Sequence, residues 1–176
     1  MIVVIMGVSG AGKTTIGQEL AHQMHWRFAD ADDFHSAANI AKMHAGIPLN
    51  DVDRAPWLRS LHDAIAGWLA REESVVLACS ALKESYRRKL LEGPEVKLVF
   101  LHADFSCIAQ RLAARQGHYM NPNLLKSQFD TLEVPPQAIS VDVSGSVSES
   151  VAAVRAALGL ETRTGDEEVE ATNIIN

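Results

Sequence analysis

Cysteine is scarce in this chain: only Cys79, in an apolar run, and Cys107, in a helical pattern, occur among 176 residues. Two such thiols, best read as small buried residues, argue against a disulfide framework and for a reducing compartment, so a cytoplasmic protein is expected. Long apolar runs are missing as well. No stretch approaches the roughly 18 residues needed to cross a bilayer, and the run from Ile2 to Met6 lacks a basic leader, so neither membrane spanning nor export is expected. Basic charge is not in excess. The formal net charge is −6, which offers no general surface for nucleic acid. The seven histidines form no recognisable metal constellation with cysteines or acids, and His22 and His25 read as exposed helix residues. No N-K-x-D guanine motif follows a late strand, and Asp142-Val143-Ser144-Gly145, which fits D-x-x-G, lies near the end of the fold; a GTPase switch is disfavoured on both counts.

What is present reads as one ordered globular domain over about residues 1–160, with 47% hydrophobic and 22% charged residues and no low-complexity tract. The last sixteen residues differ: five acids (Glu161, Asp166, Glu167, Glu168, Glu170) against Arg163 make 161–176 an acidic, solvated and flexible tail. Short β-branched runs at about 2–6, 27–30, 74–79, 96–101 and 139–143 alternate with helical patterns at about 13–24, 38–45, 55–70, 84–91, 104–115, 121–130 and 147–158. That alternation predicts an α/β fold with a five-stranded, mainly parallel sheet covered on both faces. Two intervals exceed a simple crossover. Residues 31–73 hold two helical patterns separated by Gly46 to Asn50, and 115–138 hold Gly117, Pro122 and Pro135-Pro136, so these are the expected acceptor-binding arm and lid.

The segment Gly7-Val8-Ser9-Gly10-Ala11-Gly12-Lys13-Thr14 fits G-x-x-x-x-G-K-[ST], follows an apolar strand and opens a helix that continues with Thr15. Glycines let successive backbone N–H groups curl around a β-phosphate, and the helix N-terminus adds its positive dipole end. Lys13 is expected to reach the β- and γ-phosphates of ATP, and the Thr14 hydroxyl to ligate Mg²⁺. The second strand ends in Asp30-Ala31-Asp32-Asp33-Phe34-His35, placing carboxylates at the edge where open parallel sheets bind ligands, beside the phosphate-loop strand as its expected neighbour. The third strand ends in Ser80 where a Walker-B aspartate would stand. Asp32 is therefore the favoured catalytic acid, whether it holds the Mg²⁺ water shell, orients the acceptor hydroxyl or takes its proton; Asp30 and Asp33 fit helix caps equally well.

Arg111 and Arg115 stand four residues apart and share a helix face, so both can turn toward the site when the region of Gly117 folds over it. They would neutralise charge on the transferred phosphoryl group; stacking on adenine is the other reading of Arg111.

The block His35 to Met43, followed by Gly46 to Leu58, resembles the gluconokinase signature; Ala78 to Arg87 is similar to that family's third-strand segment, and Arg111 to His118 to its lid. The resemblance spans roughly residues 2–158. It implies a three-layer P-loop fold related to shikimate and adenylate kinases, with strand order 2-3-1-4-5. It further implies a homodimer that uses ATP and Mg²⁺ to phosphorylate the C6 hydroxyl of D-gluconate. An anionic sugar acid needs a cation for its carboxylate and hydrogen-bonding groups for its polyol, a mixture supplied by Arg54, Lys83, Arg87, His35 and Asn39, with His118 from the lid. Lys83 and Arg87 fit a solvated helix face equally well, while Trp57 and Met43 read as core. The same chemistry on another small acceptor such as shikimate, or a regulatory nucleotide-binding module, are the competing readings.

Overall fold

The structure, a computed structural model, describes residues 1–45, 47–91, 93, 95–114 and 122–160. Arg115, Gly117, His118 and the acidic tail lie outside the described residues.

Five parallel strands form one sheet in the order β2-β3-β1-β4-β5, as the resemblance implies. The central strand is β1 (Ile2–Met6), whose five residues are all fully buried. Each large side chain so buried contributes about 1.5–3 kcal/mol, which fixes this strand at the middle of the molecule. The strand period of two splits β1 between two cores. Ile2, Val4 and Met6 meet Trp57, Leu61, Ile65 and Trp68 on one face; Val3 and Ile5 meet Ile16, Leu20, Val151 and Val154 on the other. The first partner is α3 (Asp51–Ala70), and the second is the pair α1 (Lys13–Met24) and α7 (Val147–Leu158). These helices make the outer layers of a three-layer α/β fold.

The flanking strands are β3 (Val75–Ala78) and β4 (Val96–His102), each in parallel register with β1, with β2 (Arg27–Asp30) and β5 (Ile139–Asp142) at the edges. Here one expectation is corrected. β3 lies between β1 and β2, so the acidic strand is not the immediate neighbour of the phosphate-loop strand. The remaining helices are α2 (Ala37–His44), α4 (Glu84–Leu90), α5 (Phe105–Ala114) and α6 (Pro122–Thr131), and a single 3₁₀ turn over Ala31–Phe34 follows β2.

The largest boundary difference is at α3, which starts four residues before the expected position 55. The reason is a capping box: Asn50 accepts from the Asp53 N–H, and the Asp53 carboxylate accepts from the Asn50 N–H. Pro56 thus stands inside the helix, past the first turn, where the i→i−4 ladder has already begun at Arg54, and its missing N–H deprives the Val52 carbonyl of its donor in that ladder. Met43 is also corrected, since it is exposed rather than core, whereas Trp57 is buried. Cys79 is buried, and desolvation pushes its thiol up to about 12, which keeps it inert; Cys107 is half-buried.

Candidate functional site

The chain leaves β1 at Gly7, whose φ of +150° suits glycine and where an added Cβ would stand 2.6 Å from the Leu101 carbonyl oxygen. The loop therefore presses against the neighbouring strand, which only glycine permits. It ends at Gly12, which caps α1 in the left-handed region at φ +89°. No acidic residue of α1 itself occupies its first turn, so the positive end of the helix dipole faces the loop without a counter-charge from the helix's own residues. Lys13 folds back so that Nζ donates to the Val8 carbonyl at 3.0 Å. The amine is thereby held along the crest of the loop, where phosphates would lie.

Thr14, also in the first turn of α1, donates from Oγ1 to Oδ2 of Asp30 at 3.1 Å. Asp30 is the last residue of β2, and its Oδ1 accepts from the Asp32 N–H at 3.1 Å, capping the 3₁₀ turn. The cap reading of Asp30 thus holds, yet the same carboxylate also reaches the phosphate loop. A hydroxyl and a carboxylate oxygen side by side are hard donors suited to Mg²⁺, which commonly takes one or two protein oxygens and completes its shell with water and substrate phosphates. Among the described residues no cluster of three or more His, Cys, Asp or Glu forms a fuller metal cage.

Asp32 stands two residues on, in the 3₁₀ turn, with its carboxyl partly desolvated by its surroundings. Burial, followed by the like charge of Asp30, holds its carboxyl above the ordinary aspartate value, against the pull of His35 and Lys13. Beneath it the 3₁₀ turn is pinned by Trp57, whose Nε1 donates to the Ala31 carbonyl at 2.7 Å. The Trp57 ring also stacks on His35, with centroids 4.7 Å apart and planes 10° from parallel. Burial lowers the His35 pKa, and the nearby Arg54 adds to this while Asp32 opposes it. His35 thus sets an imidazole of lowered pKa within the electrostatic reach of the Asp32 carboxylate.

On the side of the arm, α3 and α4 bring Arg54 and Asp51 together with Tyr86 and with Lys83, the N-cap of α4. Arg54 and Lys83 both approach the Tyr86 ring, at 5.8 and 5.4 Å from its centroid. The Tyr86 hydroxyl donates to Asp51 at 2.5 Å and receives a hydrogen bond from Arg54 at 3.4 Å, and Lys83 pairs with Asp51 at 3.3 Å. Hydrogen bonds from Tyr86 and Lys83 hold the Asp51 carboxyl below its ordinary value, and the Asp51 bond raises Lys83. The result is a partly exposed pair of cations around an aromatic hydroxyl.

Asn39 is buried; its Nδ2 donates to the Asp53 carbonyl at 2.8 Å and lies 3.4 Å from Nδ1 of His35. It ties α2 to α3, with Lys42 adding a 2.6 Å contact to the Asp53 carboxylate. Arg87 fits neither expectation made for it. Its side chain is buried, with Nη1 donating to the carbonyls of Ala81 at 3.0 Å and Leu82 at 2.9 Å. Ala81 has a φ of +43°, so Arg87 braces a strained loop between β3 and α4.

On the other side of the phosphate loop lies a cleft of about 410 Å³, lined among others by Gly12, Thr15, Arg111, Val143, Gly145 and Val147. Arg111 donates to the Gly145 carbonyl at 3.1 Å, so it forms part of this wall. Sequence reasoning left Asp30 undecided and missed Tyr86, Asp51 and Gln128; the last donates to and accepts from Ser9 across 119 positions. Tyr86 had a signal available, since it follows Lys83 by one helical turn.

The family model for shikimate kinase matches residues 9–136. A probable gluconokinase from Mus musculus is 44% identical over 179 residues, covering 89% of this chain and 97% of the mouse protein. The thermoresistant gluconokinase of Escherichia coli (strain K12) is 46% identical over 135 residues, covering 76% of this chain and 77% of that protein. A crystal structure of a gluconokinase from Sinorhizobium meliloti 1021 superposes with a TM-score of 0.81 at 42% identity, over 89% of this chain and 90% of that one.

Proposed function

This chain belongs to the gluconokinase family, and from that premise we propose that it transfers the γ-phosphoryl group of ATP to the C6 hydroxyl of D-gluconate, releasing ADP and 6-phospho-D-gluconate. The observation that carries the assignment of roles is the division between two neighbouring carboxylates. Asp30 is engaged with the Thr14 hydroxyl, while Asp32 carries a carboxyl of raised pKa within the electrostatic reach of Lys13 and His35. Thr14 and Asp30 are the residues we assign to Mg²⁺, which when bound supplies charge neutralisation at the phosphates. Asp32 is then available to hold the acceptor hydroxyl and take its proton. The C6 oxygen forms a bond to the γ-phosphorus, the bond from that phosphorus to the β–γ bridging oxygen breaks, and the proton passes to Asp32. Lys13 and the loop N–H groups not already engaged, as those of Ser9 and Ala11 are, bind the phosphates throughout, and the buried surroundings at Ala31 and Trp57 strengthen their effect.

Arg54 and Lys83 flank the Tyr86 ring as a pair of cations, so we assign them to the gluconate carboxylate. His35 is assigned to the polyol, Arg111 and Thr15 to the nucleoside, and Arg115 and His118 to closure over the site. Asn39 and Arg87 act by holding the arm and the β3–α4 loop in place. Coupled ADP release with D-gluconate, other aldonic acids and shikimate tests the reading. D-gluconate is expected to give the highest kcat/KM, and release that is no faster with gluconate than without an acceptor would overturn it.

A further inference from the structure

One peptide group in the phosphate loop is held from both ends. The carbonyl of the Val8–Ser9 peptide accepts from Lys13 Nζ at 3.0 Å, and the N–H of the same peptide donates to Gln128 Oε1 at 2.6 Å. Gln128 also donates from Nε2 to Ser9 Oγ at 3.0 Å, so its carboxamide grips Ser9 by two points. Gln128 lies on α6, which is itself anchored. Leu125 is buried, Phe129 meets Phe105 at 5.3 Å, and past the helix the Glu133 N–H donates to the Leu82 carbonyl at 2.9 Å. The grip therefore comes from a fixed support.

Hydrogen bonds in series polarise one another, so a carboxamide oxygen on the N–H makes the carbonyl of that peptide a stronger acceptor. It also fixes the plane of the peptide and hence the direction in which its carbonyl points. From this geometry we infer that Gln128 is a positioning residue for phosphoryl transfer, acting through the Val8–Ser9 peptide to set the place of the Lys13 amine. The inference rests on the reading that Lys13 serves the phosphates. It also gives α6 a role that packing alone does not require, since a buried Leu125 and the Phe129 contact would hold the helix without a polar clasp.

The test is a double-mutant cycle of Gln128→Ala with Lys13→Ala, read as kcat, KM for ATP, KM for D-gluconate and Tm. Two neutral hydrogen bonds correspond to about a tenfold change, so Gln128→Ala is expected to lower kcat about tenfold and to leave both KM values within about twofold. Against Lys13→Ala, measured in single turnover, the same change is expected to cost less than about twofold, because the residue it acts through is gone. Native kcat in Gln128→Ala beside a crippled Lys13→Ala would overturn the inference alone. So would an undiminished tenfold loss in the Lys13→Ala background. Near-normal kcat in Lys13→Ala would overturn the phosphate-site reading and the inference with it. If Gln128→Ala does not fold, Gln128→Met keeps the side-chain length without the hydrogen bonds and is subject to the same outcomes.

Discussion

Replacing Asp32 by Asn keeps the shape of the side chain while removing its charge and its basicity, so turnover and stability should respond in opposite senses. A positioned general base contributes about 10²–10⁴-fold, and kcat is expected to fall by at least about 100-fold with ATP binding retained. For stability the sign follows from the raised pKa. Burial and then the charge of Asp30 disfavour the ionised carboxylate in the fold, so the folded state binds a proton more readily than the unfolded chain. The stability this brings is fully present below the unfolded aspartate value and is lost as pH rises through the higher folded value. At neutral pH the native protein therefore carries an unfavourable charge that Asp32→Asn removes. The variant is expected to melt no lower than native at neutral pH and to lose any advantage in acid. The same shift places the acid limb of native kcat at higher pH than an ordinary aspartate would give. The assays are coupled ADP release and thermal melting across pH. Native-like turnover in Asp32→Asn would transfer the catalytic role to Asp30 or Asp33, and a lower Tm at neutral pH would refute the stability argument.

Thr14→Ala and Asp30→Asn are expected to raise the Mg²⁺ concentration needed for half-maximal activity, and the double variant to cost less than the two combined, because they are assigned to one metal; a strictly additive effect in a Mg²⁺ titration would separate them. Arg54→Ala should weaken D-gluconate by roughly tenfold or more, the value of a charge-assisted hydrogen bond, while ATP affinity holds; calorimetric titration showing the reverse would move Arg54 to the phosphate site. Asn39→Ala leaves the Asp53 carbonyl without its 2.8 Å donor and should destabilise the fold by about 1–3 kcal/mol in urea unfolding, with unchanged stability refuting its structural role.

The sequence yields most where physics is local. Ile2 to Met6 reads as a strand because five consecutive apolar residues flanked by a glycine loop suit a strand buried on both faces, and the structure buries all five. The spacing of Gly7, Gly12, Lys13 and Thr14 is legible for the same reason, since the turn and the helix it opens lie within eight residues. Where two local signals compete, the reading slips. Pro56 suggests a helix start nearby, but the reciprocal Asn50 and Asp53 bonds start α3 earlier. Burial of a cation is harder still: Arg87, Arg88 and Lys89 are adjacent basic residues on α4, and only the return of the Ala81 and Leu82 carbonyls selects Arg87 for the interior.

Asp30 and Asp32 show why a site can be found before its roles are. Both are legible as acids at the end of β2, and nothing in their spacing tells which one faces Thr14. That depends on β3 inserting between β1 and β2, and on a 3₁₀ turn that lets Asp30 cap the Asp32 N–H with one oxygen while meeting α1 with the other. The turn in turn depends on Trp57, 26 residues on, donating to Ala31. Each step is a contact across the sheet rather than along the chain. The division of labour between the two carboxylates is thus a property of strand order, and a change that unpinned the turn at Trp57 should disturb the assignment of both acids without touching either.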